Sequence, residues 1–175
     1  MKRTNLSLFF ILILTMVLVQ TESFAETATA VIQGTKEGTP IFGAAIFEDT
    51  DEGLRIEVDL YGASPGLHGF HIHENGSCQD NGQAAGGHFN PKNADHGLLL
   101  KDGLERAHAG DLGNLKVNQN GEGNLYLVIP GLTLGEGEYG VGGRSIILHE
   151  KEDDFGQPAG NAGGRIACGV IQVEK

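Results

Sequence analysis

All seven histidines of this 175-residue chain fall between His68 and His149. Within Gly66-Leu67-His68-Gly69-Phe70-His71-Ile72-His73, His71 and His73 are two apart, so a strand would put both imidazoles on one face, close enough to share a metal. His68 has the parity of Phe70 and Ile72 and should point the other way, toward a core. His88, His96, His108 and Asp111 follow in a stretch rich in turn residues, and His149 closes an apolar run. Three imidazoles with one carboxylate suit a tetrahedral zinc at about 2.0 Å per bond. Three or four imidazoles in a flatter arrangement suit copper. Singly, His96 or His108 reads as a solvated loop histidine. Jointly, the set reads as a metal centre.

These side chains need a scaffold, and the sequence offers strands. The 28 glycines are more than twice the usual share of ~7% and favour a turn-rich β protein over a helical bundle. Short-period apolar runs bounded by Gly, Asn, Asp and Pro predict strands over 27–34, 41–48, 54–61, 67–74, 112–117, 124–129, 144–150 and 166–173. Leu54, Ile56, Val58 and Leu60 alternate with Arg55, Glu57 and Asp59, one face for a core and one for water. Eight such strands make an all-β antiparallel sandwich or barrel. The stretches 75–109 and 151–164 lack this pattern and flank the histidines, and irregular segments of that length are uncommon unless functional. They are expected to be the two long loops that build the site.

Residues 1–25 read as a secretory signal peptide. Lys2 and Arg3 precede an apolar run from Leu8 to Val19, and Ser23-Phe24-Ala25 places small residues for cleavage before Glu26. That run is shorter than the ~20 residues of a transmembrane helix, so no membrane association is expected after cleavage. Residues 26–175 then form one exported domain. Its net charge is strongly negative, −11 for the whole chain, and the one basic cluster lies in the leader, which excludes nucleic acid as a partner.

Five blocks, taken together and in order, carry a resemblance. They are Gly69-Phe70-His71-Ile72-His73-Glu74, Ala85-Gly86-Gly87-His88-Phe89-Asn90-Pro91, Gly110-Asp111-Leu112-Gly113-Asn114, His149-Glu150-Lys151-Glu152-Asp153-Asp154, and the run from Gly160 through Arg165 and Cys168 to Ile171. The chain thereby resembles the copper/zinc superoxide dismutases across 27–173, in the manner of an exported prokaryotic member. The resemblance implies an eight-stranded Greek-key barrel. It also implies disproportionation of superoxide to oxygen and hydrogen peroxide by a copper redox cycle.

Carried over residue by residue, the resemblance makes His71, His73, His88 and His149 copper ligands. His88 would also bridge to a zinc ion, completed by His96, His108 and Asp111. Asp153 matches the carboxylate that accepts hydrogen bonds from one histidine of each set, and His68 matches a structural histidine. Arg165 matches the arginine beside the open copper position, so Arg165 and His88 are the catalytic candidates, with superoxide as the small-molecule substrate. Cys78 and Cys168 are the only cysteines, and export to an oxidising periplasmic or extracellular space favours a disulfide between them over metal ligation.

The chain also departs from the eukaryotic form of the family. Residues 150–167 between His149 and Cys168 are fewer, which removes part of the segment that steers superoxide there. The segment 74–77, whose eukaryotic counterpart contributes to the dimer contact, is shorter too. Monomer and homodimer therefore both stay open, and Asn75-Gly76-Ser77 is a glycosylation sequon only in a eukaryotic host. A non-catalytic metal carrier on the same fold would lack part of the copper set, and a purely structural sandwich would not group the histidines.

Overall fold

A computed structural model describes residues 25–174, so the leader read over 1–25 lies outside the described residues apart from Ala25. The strands are β1 (Thr27–Gly34), β2 (Phe42–Thr50), β3 (Gly53–Tyr61), β4 (Gly66–His73), β5 (Asp111–Val117), β6 (Glu122–Ile129), β7 (Ser145–His149), β8 (Arg165–Val170) and the short β9 (Gln172–Val173). Only Ile171 separates β8 from β9, and it stays in hydrogen-bond contact with the turn before β7, accepting from Gly143 and donating to Arg144. The two behave as one interrupted strand, so the barrel has eight strands in effect. All pairings are antiparallel, in the order β2-β3-β6-β5-β4-β7-β8-β1, and β1 pairs back onto β2 to close the sheet.

Alternation explains the core. Leu54, Ile56, Val58 and Leu60 of β3 are buried while Glu57 and Asp59 face water, and Ala28, Ala30 and Ile32 of β1 repeat the pattern. Burying one Leu or Ile side chain contributes about 1.5–3 kcal/mol, so a strand with three or four such residues pointing inward has its register set firmly. β4 differs: every residue from His68 to His73 is buried, because its outer face is covered by the long loop instead of water.

That loop, between β4 and β5, holds a 3-10 turn (Gln83–Ala85) and one helical turn, α1 (Leu99–Asp102), elements the sequence pattern does not suggest. A third long connection, residues 130–144 between β6 and β7, is also absent from the sequence reading. Asp49 of β2 pins it by accepting from Thr133 Oγ1 (2.6 Å) and the Leu134 amide (3.0 Å). Cys78 and Cys168 form a disulfide, with Cα atoms 5.7 Å apart, that fastens the long loop to β8. Closing so long a segment contributes roughly 2–5 kcal/mol, chiefly by restricting the unfolded chain.

Candidate metal centre

Strands supply half of the site. His71 and His73 share the outer face of β4, and their β7 partners are Ile147 and Ser145. Two bulges aim the neighbours. β5 carries one extra residue opposite Phe70, taken up at Gly113 with φ 91°, which brings Asp111 level with His71. β8 carries Ile166 as an extra residue, so His149 of β7 pairs directly with Arg165.

The loop supplies the other half. His88 bridges backbone to backbone with His73. Ile72 N donates to Gly110 O (3.0 Å), Phe89 N to Ile72 O (2.9 Å) and Gly110 N to Phe89 O (2.9 Å), stitching both loop ends onto β4. Gly110 must be glycine there, since a Cβ would strike the Ile72 carbonyl. His96 and His108 then converge on Asp111, the first residue of β5.

All the expected ligands meet. His71, His73, His88 and His149 form one buried group, His88, His96, His108 and Asp111 a second, and within each the ligating atoms lie within 4.8 Å of one another. Asp153 lies between them, accepting from His71 Nε2 (2.8 Å) and His96 Nε2 (2.9 Å). His68 points away, bonding His149 O through Nδ1 and Ser64 O through Nε2, each at 2.8 Å.

The proton positions these partners impose are those of metal ligands. With Nε2–H of His71 and His96 given to Asp153, the Nδ1 lone pairs turn inward, and both atoms are buried without a hydrogen-bond partner. His96 Nδ1 is also 3.0 Å from Asp111 Oδ1, outside hydrogen-bonding geometry. His73 gives Nδ1–H to Gly86 O (3.0 Å), which leaves its bare Nε2 3.3 Å from His149 Nε2. Unpaired buried acceptors cost about 1–3 kcal/mol each. A cation between them reverses that sign.

The spacing agrees. Asp111 Oδ1 lies 2.8 Å from His88 Nδ1 and 3.1 Å from His108 Nδ1, and the two histidine nitrogens are 3.4 Å apart. A tetrahedron with bonds of ~2.0 Å has edges of about 3.3 Å, so a zinc ion fits this group with little movement. Asp111 Oδ2 is already engaged by the amides of Gly97 (2.9 Å) and His108 (3.0 Å), which holds Oδ1 toward the ligand position.

Environment separates the two groups electrostatically. Burial, then the neighbouring His88, lowers His73 to about 2. Burial, then His71 and His88, lowers His149 to about 3. Burial also takes His88 to about 4, although its bond to Asp111 opposes the shift. For His96 burial works downward, but the neighbouring Asp111 and Asp153 carboxylates outweigh it and the pKa rises to about 9. Burial pushes the Asp111 and Asp153 carboxyls upward, yet their histidine partners hold both well below the usual carboxylate range.

One face of the centre is open. A pocket of ≈ 380 Å³ reaches His73, His88, His149 and Arg165, while His96, His108 and Asp111 do not line it. Arg165 is fixed there by backbone carbonyls, Nη1 donating to Gly82 O (2.5 Å) and Nη2 to Gly86 O (2.6 Å). Gly86 O therefore serves both Arg165 and His73, and the disulfide anchors the segment that carries it.

Sequence reasoning singled out Asp153 among the residues that hold the ligands, but not those that brace Asp153 and the ligand-bearing segments. The Asn114 carboxamide pairs with both backbone groups of Asp153, donating to its carbonyl (2.9 Å) and accepting from its amide (2.8 Å). Gly160, at φ 74°, packs so closely that a Cβ would collide with Asp153 Oδ1. Arg144 stacks 3.6 Å from the Phe89 ring centroid and donates to Glu74 O (2.8 Å), bracing both segments that carry His73 and His88. No periodicity marks such residues. The Asn114 and Gly160 positions do fall inside the motif blocks, which was the available signal.

Comparison with known proteins places this arrangement. The chain matches the family model for copper/zinc superoxide dismutase (SODC) over residues 41–171. It is 40% identical over 147 residues to an extracellular superoxide dismutase [Cu-Zn] of Drosophila melanogaster, covering 79% of each chain. It is 39% identical over 139 residues to superoxide dismutase [Cu-Zn] 2 of Aquifex aeolicus, covering 75% of this chain and 80% of that one. The crystal structure of the clock protein EA4 superposes with a TM-score of 0.75 at 36% identity, over 89% of this chain and 99% of the other.

Proposed function

The chain belongs to the copper/zinc superoxide dismutase family, an oxidoreductase family that binds both metals and disproportionates superoxide, and from that premise we propose how its own residues divide the work. His71, His73, His88 and His149 hold copper, and His88, His96, His108 and Asp111 hold zinc. The observation that carries this reading is the double membership of His88, whose Nδ1 sits on Asp111 while its ring lies 4.1 Å from that of His71 and 5.0 Å from that of His73. An imidazole that serves two cations has lost both ring protons, which only a pair of adjacent positive ions makes accessible near neutral pH.

Copper, when bound, supplies the redox couple that takes an electron from one superoxide, giving oxygen, and passes it to a second, which leaves as hydrogen peroxide with two protons. His88 Nε2 would take up a proton during turnover and hand it to the departing product, while Nδ1, beside Asp111, would keep the ring oriented through the exchange. Asp153 fixes the tautomers of His71 and His96 together, the supporting role that ligating imidazoles require. Arg165 presents a fixed positive charge at the pocket and holds the anion beside His149.

The domain is read as exported, with 1–25 as its leader and the periplasm or extracellular space as its destination. A relative named as extracellular and the disulfide support export. The reading is tested by metal analysis of the purified protein with a superoxide assay. We expect about one copper and one zinc per chain, and loss of activity on chelation of copper with the barrel intact by circular dichroism. Full activity without copper would contradict it.

A further inference from the structure

The short loop after Asp153 carries a side chain that none of the metal chemistry uses. Gln157 lies against the backbone of His96, where its Oε1 accepts from His96 N (3.0 Å) and its Nε2 donates to His96 O (2.8 Å). Both main-chain groups of this histidine are thus satisfied by one carboxamide, much as a paired strand would satisfy them. His96 sits in irregular structure, 61 residues away in sequence, with no strand partner to do so.

The loop that presents Gln157 is closed on itself. Asp154 N donates to Gly160 O (2.9 Å) and Gly160 N to Gly156 O (2.7 Å). Asp153 Oδ1 and Asp154 Oδ1 each cap the amide two residues on, at Phe155 and Gly156, both at 2.8 Å. A side chain delivered from so constrained a turn loses little further freedom when it binds, so its hydrogen bonds act at close to full strength. The same turn grips His96 twice, its ring through Asp153 and its backbone through Gln157.

We propose that Gln157 is a positioning residue for the zinc subsite, holding the His96 backbone so that Nδ1 stays aimed at the ion. This rests on His96 as a zinc ligand, as proposed above. Partners of ligating residues are worth about 10–100-fold in metal affinity, and Gln157 acts at that level. Asn114 does the same for Asp153, so two carboxamides set the backbone on either side of the Asp153–His96 bond.

The test is the Gln157→Met variant of the full mature protein, which keeps the length of the side chain and removes both hydrogen bonds. Zinc affinity should fall by about tenfold or more in competition with a chelator. Amide exchange at His96 in the metal-free protein should quicken, and the visible spectrum of cobalt(II) bound in the zinc set should shift. Copper content should not change. Gln157→Glu keeps the acceptor for His96 N–H, has no proton for His96 O, and carries the test should the Met variant fail to fold; it too should weaken zinc. Wild-type zinc affinity, His96 exchange and cobalt spectrum in either folded variant would overturn the proposal. Failure of the wild-type protein to bind zinc would instead overturn the ligand assignment on which it rests.

Discussion

The two halves of the centre use the same imidazole in opposite environments. His73 and His149 come from neighbouring strands, have no carboxylate at hand, and face a pocket with a cationic Arg165. His96 and His108 come from the long loop, surround Asp111, and do not line the pocket. His73 and His149 are held neutral by burial and lie open to an anion; His96 is tied to carboxylates, and its group is closed. On the proposed reading, the same residue type serves a redox ion in one group and a structural ion in the other.

The comparison breaks most severely if a strand ligand can be lost without harm. His149→Ala should reduce superoxide disproportionation by at least about 100-fold, because loss of a partner outside the ligand set alone costs 10–100-fold. Zinc content should persist, since His149 is absent from the second group. Equal loss of both metals would show that the halves are not separable.

Arg165→Ile should act next most strongly. The chain's net charge of −11 repels superoxide on average, so capture needs a local positive field. A unit charge a few ångströms from the anion is worth about 1 kcal/mol in water and about 4 kcal/mol at an effective dielectric of 20. Since 1.4 kcal/mol is about tenfold in rate, kcat/KM should fall roughly tenfold or more at unchanged metal content. A fully metallated variant with wild-type kcat/KM would remove Arg165 from the mechanism.

The strand half was the legible half. Parity alone put His71 and His73 together and turned His68 away, because β4 keeps its period of two through the site. Loop ligands have no period: His88 and Asp111 fall inside motif blocks, whereas His96 and His108 lie between blocks and are assigned to the set only through the resemblance the blocks carry. Gln157 and Asn114 stayed hidden because a carboxamide can meet a backbone at any sequence distance, as the 61- and 39-residue separations show. The connection 130–144 went unseen as a third long loop because Leu132, Leu134 and Val141 bury their side chains there without forming a strand.

A smaller effect sharpens the contrast in the metal-free protein. His73, His88 and His149 have pKa values lowered to about 2, 4 and 3, so the unfolded chain binds more protons there. Their share of stability is present above the unfolded value of about 6.5 and is lost as pH falls below it. His96, raised to about 9, contributes fully below about 6.5, and its share is lost as pH rises through about 9. Melting of the apoprotein should therefore be highest near neutrality and lower on both sides. His96→Gln should flatten the alkaline limb and leave the acidic one. A melting temperature independent of pH on the acid side would show that His73, His88 and His149 are not held neutral.

The central claim is that a single residue, His88, joins the two halves, and loading the zinc set with cobalt(II) and the copper set with copper(II) tests it most directly. A shared imidazolate transmits spin coupling, so the isolated copper(II) electron paramagnetic resonance signal should be lost in the wild-type protein and return in His88→Ala wherever both ions remain bound. An isolated copper(II) signal in fully loaded wild-type protein would contradict the account.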